Sequence, residues 1–427
     1  MRSADRRQTL SWSLYDFANS SFTTLVVTFI FSVYFTRKIA LDPEHGTILW
    51  SRAVNISAFI AALITPLLGA IADHSGRKKL FMAAMTIQCV VFTTLLFFVA
   101  EGETTRALIF FVLANIGFEA GNVFYNAFLP EISTPSTIGR VSGMGQALGY
   151  GGGLICLFLA LGMVRGWVPS EGDLHIRATN LLVAVWFLLF SIPAFLFLKE
   201  PPRNRGLGVG AAAGEGFRRL AMTFRRLRSY REVVKLLVAR LIYNDGLVTV
   251  FSFASIFAAA TFGMDTNQLI ILGIGLNVAA GIGSYTFGFV NDRIGGKKTI
   301  TITLVALIIA TAGGAFASSI SMFWAAALLL GLMVGPNQSA SRSLLGLLVP
   351  ENKHGEFFGF FAFSGKLASM LGPFLYGTIL QQTGSQRWAM GSIIIFFFVG
   401  LILLQFVRER EGIELAQRES AEMASEG

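Results

Sequence analysis

The 427-residue chain has little of what a soluble enzyme uses. Charged residues make up only 14% of it, against roughly 25% in ordinary soluble domains, which excludes a chain that keeps most of its surface in water. Cysteine is limited to Cys89 and Cys156, and the four histidines show no ligand spacing, so metal catalysis lacks support. Both cysteines fall inside apolar runs, where a disulfide framework has no purpose, and read as packing residues. No glycine-rich phosphate loop follows a strand pattern. The amino-terminal apolar run is too long for a signal peptide and no small-residue cleavage site follows it, so it reads as retained. The abundant residues are apolar: 54% are hydrophobic, with 40 Phe and 45 Gly, and the mean hydropathy is +0.63.

A transmembrane helix needs about 20 mostly apolar residues. Twelve such runs are predicted, at 12–36, 49–72, 80–100, 106–128, 141–164, 178–198, 236–262, 268–290, 299–319, 321–348, 356–380 and 388–407. They use most of the chain and leave no room for a soluble catalytic domain, so no enzyme and no cofactor is implied. The net charge of +9 would suit nucleic acid if it were clustered on a soluble face. Instead, most Lys and Arg fall in the amino terminus, the connections after runs 2, 4, 6, 8 and 10, and the carboxyl terminus. The positive-inside rule then places both termini in the cytoplasm. The expected partners are a small-molecule substrate and membrane lipid, with no nucleic acid and no obligatory protein partner. The expected place is the bacterial inner membrane.

The longest polar connection, residues 199–235, separates six runs from six. This gives a six-helix bundle at 1–198, a basic linker at 199–235, a second bundle at 236–407 and a polar cytoplasmic tail at 408–427. From Gly216 the linker mixes apolar residues with Arg, which suits either a surface amphipathic helix or a solvated basic linker. The halves are related to each other: GAIADHSGRKK at 69–79 matches GFVNDRIGGKK at 288–298, an offset of 219, and Pro130-Glu131 matches Pro350-Glu351, an offset of 220. Two independent anchors with nearly one offset indicate a duplicated six-helix unit, as in one large class of secondary transporters.

These features resemble the major facilitator superfamily. WSLYDFANSSFTTLVVTFIFSVYF at 12–35 and VFYNAFLPEI at 123–132 further resemble its vacuolar-effluxer-like branch, which is related to the fungal autophagy-associated vacuolar amino-acid exporter. The resemblance implies a twelve-helix, all-α membrane fold in two pseudo-symmetric halves that move a small solute by alternating access, amino acids first and efflux favoured. It also implies that spans 1, 4, 7 and 10 line a central cavity. The repeated loop would form a cytoplasmic gate, carried here by Gly69, Asp73, Arg77 and Lys78 in the first copy and Gly288, Asp292, Arg293 and Lys297 in the second. The first copy departs from the family pattern, with His74 where Arg is usual. The glycine clusters in spans 5 and 11 match the antiporter motif too loosely to imply a direction. A broad efflux specificity for amphipathic compounds, suggested by the abundant Phe and Met, and a non-transporting membrane sensor or assembly factor are the alternatives.

Candidate site residues come from polar groups inside apolar runs. Asn115, Glu119, Asn122 and Asn126, spaced 4, 3 and 4, share one face of span 4 at 100° per residue. Glu119 lies roughly 16–20 Å from either end of its run. A charge at that depth costs about 2.5–3.5 kcal/mol, so it should couple a proton, meet substrate or hold a structural ion pair. Span 1 carries Tyr15, Asp16 and Asn19, and span 7 carries Tyr243, Asn244 and Asp245. Asp16 is expected on the order of 6 Å inside its run and Asp245 about 15 Å inside. Two cations balance the acids: Arg342, roughly 12 Å before Pro350 and beside Gln338, and Lys366, about 16 Å beyond Gly355. Either could hold an anionic substrate group, or pair internally, for instance Glu119 with Arg342 or Asp245 with Lys366.

Overall fold

The computed structural model describes residues 5–40, 42–200, 218, 222, 229–367 and 371–426. Most of the linker, including the expected surface helix, lies outside the described residues. Twelve described helices are long and apolar enough to cross a membrane. In the first half these are α1 (Arg6–Ile39), α2 (Pro43–Ser75), α3 (Lys78–Leu96), α4 (Thr104–Ile132), α5 (Ile138–Trp167) and α6 (Glu171–Phe197). The second half holds α7 (Arg231–Phe262), α8 (Asn267–Ile294), α9 (Gly296–Ala315), α10 (Ile320–Leu348), α11 (Glu351–Thr383, which runs through residues 368–370 outside the described set) and α12 (Gln386–Gln405). The expected all-α, twelve-span architecture therefore holds. A further helix, α13 (Glu409–Glu426), follows where the sequence suggested only a polar tail.

Local chemistry sets the helix ends. Asp5 caps α1 by accepting the Arg7 N–H, Asp42 does the same for α2 with Pro43 at the first position, and Asp265 forms a capping box with Gln268 at α8, each satisfying amides that the helix cannot. Gly76 ends α2 at φ 64°, a left-handed conformation that favours glycine. α1 is not uniform: Phe22–Phe29 and Phe35–Ile39 are wound as π-helix, a local widening often found at functional sites.

Each half has its own apolar core. One runs from Trp12 to Leu198 and the other from Tyr230 to Val407, the latter also taking in Val123 and Ala127 of α4. Large apolar side chains such as Phe59, Phe374 and Trp388 point outward, which in a bilayer puts them against lipid. Both halves are clamped alike at the face that carries the termini. Just past α6, Glu200 accepts the Lys79 N–H at 2.7 Å while Lys79 Nζ donates to the Leu198 carbonyl at 3.0 Å. Just past α12, Glu409 accepts the Gly296 and Lys297 N–H groups at 2.8 and 3.2 Å while Lys297 Nζ donates to the Gln405 and Val407 carbonyls, both at 2.8 Å. α13 rests on the second half: Ala416 is buried and the Tyr230 hydroxyl donates to Glu419 at 2.7 Å. The halves meet mainly where α2 packs on α11 and α5 packs on α8.

Candidate functional site

At the terminal face the repeated loop joins the two halves through carboxylates set on helix starts. Asp73, at the end of α2, accepts the Gly355 and Glu356 N–H groups at 3.0 and 2.9 Å, in the first turn of the α11 segment that begins at His354. Asp292, at the end of α8, accepts the Gly139 and Arg140 N–H groups at 2.7 and 3.3 Å, in the first turn of α5. A helix start offers unpaired N–H groups and a partial positive charge, so each carboxylate ties one half to the other. Glycine makes the approach possible: a Cβ on Gly69 would overlap the Gly355 carbonyl, and one on Gly288 would stand 2.9 Å from Arg140 Cα.

The counter-ions differ between the copies. Lys78 is buried between Asp73 at 2.9 Å and Glu131 at 2.6 Å, all from the first half. The Pro-Glu repeat pointed to Glu131, but only as an anchor for the duplication. In the second copy Lys297 turns away to the clamp described above. Arg140 of the opposite half takes that place, with Nε 3.1 Å from Asp292. The side chains of Arg77 and Arg293 make no hydrogen bond or ion pair between the halves among the described residues.

Deeper in the protein, the polar residues of the spans separate into groups. Lys366 of α11 meets Glu119 of α4 at 2.6 Å, with side chains 38% and 16% exposed, so this bridge between the halves is only partly buried. Arg342 of α10 is sealed. It donates to Ser142 Oγ at 3.0 Å, the Ser142 carbonyl at 2.7 Å and Asn126 Oδ1 at 3.1 Å, lies 3.7 Å from Asp16, and stacks against Trp12 and Tyr125. Gln146 Nε2 donates to Gln338 Oε1 at 3.3 Å, and Asn19 Nδ2 donates to Asn122 Oδ1 at 2.9 Å.

Several expectations need correction. The helix that carries Asp16 begins before its apolar run, since the polar stretch RRQTLS is helical too, so Asp16 stands ten residues into α1. Neither suggested pair forms: Glu119 faces Lys366, and Arg342 faces Asp16. Asp245 has no ion pair among the described residues, and accepts the Leu371 and Gly372 N–H groups at 3.1 and 3.0 Å. Asn115 leaves the stripe of span 4, since its Nδ2 donates to Ser57 Oγ at 2.7 Å inside the first half. Tyr15 likewise bonds Thr86 Oγ1 at 2.7 Å within that half, and Asn244 reaches only the Gly365 carbonyl at 3.4 Å. Sequence reasoning missed Trp12, Tyr125, Ser142 and Gln146. Ordinary packing positions look the same, and their role comes from the span that faces them.

The family model described as vacuole effluxer Atg22 like matches residues 47–139 and 133–417. The chain is 30% identical to the uncharacterized MFS-type transporter YxiO of Bacillus subtilis, over 97% of this chain and 98% of that protein. It is 26% identical to autophagy-related protein 22 of Yarrowia lipolytica, over 68% of this chain and 54% of that protein. Among solved structures, the E. coli fucose:proton symporter FucP superposes with a TM-score of 0.73 at 16% identity, over 95% of this chain and 99% of that one. The human organic anion transporter MFSD10 does so with a TM-score of 0.71 at 16% identity, over 95% and 100%.

Proposed function

This chain belongs to the vacuole effluxer Atg22-like family of major facilitator transporters, and on that premise we propose that it exports or exchanges a small zwitterionic or anionic metabolite, amino acids first. It is an integral multi-pass transporter rather than an enzyme. The proposed setting is the bacterial cytoplasmic membrane, with both termini and the Asp73 and Asp292 ties on the cytoplasmic side. The arrangement described above is then the state closed to the cytoplasm.

The observation that carries this reading is the Glu119–Lys366 bridge, an ion pair between the halves whose side chains stay 16% and 38% exposed. A solute ammonium can replace Lys366 on Glu119, and a proton on Glu119 removes the attraction altogether. Either event releases one contact that holds the halves in this state, which is how a ligand shifts a two-state equilibrium. Arg342, held by five neighbours and 6% exposed, acts in this scheme as a tie between the halves and not as a solute contact.

The test is Glu119→Gln in proteoliposomes. Uptake of amino acids driven by a pH gradient should fall at least ~10-fold, while exchange without a gradient continues. Unchanged gradient-driven uptake would remove Glu119 from the coupling step.

A further inference from the structure

Arg240 is a cation inside the membrane that the site above leaves unused. It stands nine residues, about 13 Å, beyond Arg231 on α7, with its side chain between α7 and α11. Nη1 donates to the Phe361 carbonyl at 2.8 Å and to Ser364 Oγ at 3.2 Å, and the guanidinium lies 3.5 Å from the centre of the Phe361 ring. Gly365 presses on the same group: a Cβ there would meet Nη1 at 2.9 Å and Nη2 at 3.2 Å. Among the described residues no carboxylate oxygen comes within 4.0 Å of it, whereas Arg342 and Lys366 each face one.

Neutral acceptors and an aromatic face orient a guanidinium without cancelling its charge. Ionisable groups inside spans are costly and mark substrate or ion pathways, and the contacts that the Arg240 guanidinium makes among the described residues are neutral. The donors left over after Phe361 and Ser364 suit a planar carboxylate, which arginine holds bidentately. Lys366, one residue past Gly365, is already engaged by Glu119. We infer that Arg240 is the anchor for a carboxylate on the transported solute, so that the site selects carboxylate-bearing metabolites over amines, sugars and neutral amphipaths. This rests on the transport reading above and names the chemical group that the site recognises.

A thermal-shift panel on the purified full-length protein tests it, since a ligand that favours the folded state raises its stability. Amino acids, monocarboxylates and dicarboxylates are each paired with their amides, alongside sugars and organic cations. The wild-type protein should prefer acids over amides by about 10–100-fold, the range of a charge-assisted bidentate contact. Arg240→Met should bring acid and amide within about 2-fold of each other, and Arg240→Lys should keep part of the preference. Ser364→Asp supplies an internal carboxylate beside Nη1; it should keep the fold, as judged by its own melting temperature, and lose acid binding.

The inference is overturned if Arg240→Met and Ser364→Asp retain the wild-type preference, or if the wild-type protein responds equally to amides or only to uncharged and cationic solutes. Carboxylates other than amino acids that bind through Arg240 would contradict the amino-acid reading and leave the anchor standing. Amino acids that bind with the same preference in Arg240→Met would do the reverse.

Discussion

The halves meet along two seams that the repeat makes equivalent. On the first, α2 and α4 face α11, with Asp73 on the start of α11 and Glu119 on Lys366. On the second, α8 and α10 face α5, with Asp292 on the start of α5, Gln338 on Gln146, and Arg342 sealed against Ser142. At offsets of 219 and 220, Glu119 corresponds to Gln338 and Lys366 to Gln146, so one chain position holds an ion pair in one seam and a neutral amide pair in the other. In the transport scheme proposed above, the first seam is switched by charge, from a solute or a proton. At that depth the second holds a neutral pair among the described residues, and Arg342 beside it is 6% exposed. Duplication supplied the geometry, and divergence left an ion pair on one side and a neutral pair on the other; in the proposed scheme the first is the switch and the second the hinge.

The largest effect should come from Asp73. Asp73→Asn leaves Lys78, 4% exposed, with a weakened partner. Lys78 keeps Glu131, so the effect on closure comes from the weakened hold on the Gly355 and Glu356 N–H groups, which should move the population by about 1.5–3 kcal/mol away from the state closed at the terminal face. Asp292→Asn should shift it by only about 1–2 kcal/mol, since Arg140 is 48% exposed. Accessibility of a cysteine placed at Ile138, 2% exposed in this state and packed on Gly346 of the other half, reads both, and equal shifts would erase the distinction between the seams. Next is glycine. Gly69→Ala forces the Gly355 carbonyl away and should cost about 1–3 kcal/mol in closure, and Gly288→Ala less, measured as exchange rates in proteoliposomes.

A gain of function sharpens the comparison further. Gln146→Lys with Gln338→Glu copies the first seam's pair into the second. Exchange should slow by about 10-fold, because two charged bridges must now be released; an unchanged rate would mean that the pair is not a restraint. The smallest effect should be that of Gln146→Ala, which removes a single neutral hydrogen bond of 3.3 Å and should change thermal stability by no more than about 1 kcal/mol.

The spans, their number and the duplication were all legible in the sequence, because each depends on local hydropathy or on matching short motifs. The start of α1 was not legible, since a polar first turn is as helical as an apolar one and leaves no trace in hydropathy. Pairing was not legible. Periodicity places Glu119, Asn122 and Asn126 on one face of α4, but partners depend on how that helix is rotated against the other half. The sequence alone weights Arg342 and Lys366 alike as partners for Glu119. The role of Gly365 in setting Arg240 against α11 is likewise visible only once two helices are brought together.

The most direct test of the switch-and-hinge account is the distance between spin labels at Ser136 and Arg410, one on each half at the terminal face, measured by electron paramagnetic resonance with Cys89 and Cys156 replaced by alanine. Lys366→Met should broaden the distribution toward longer distances, the terminal face opening without any solute. Gln146→Met should leave it as in the unsubstituted protein. Equal distributions in the two variants would contradict the account.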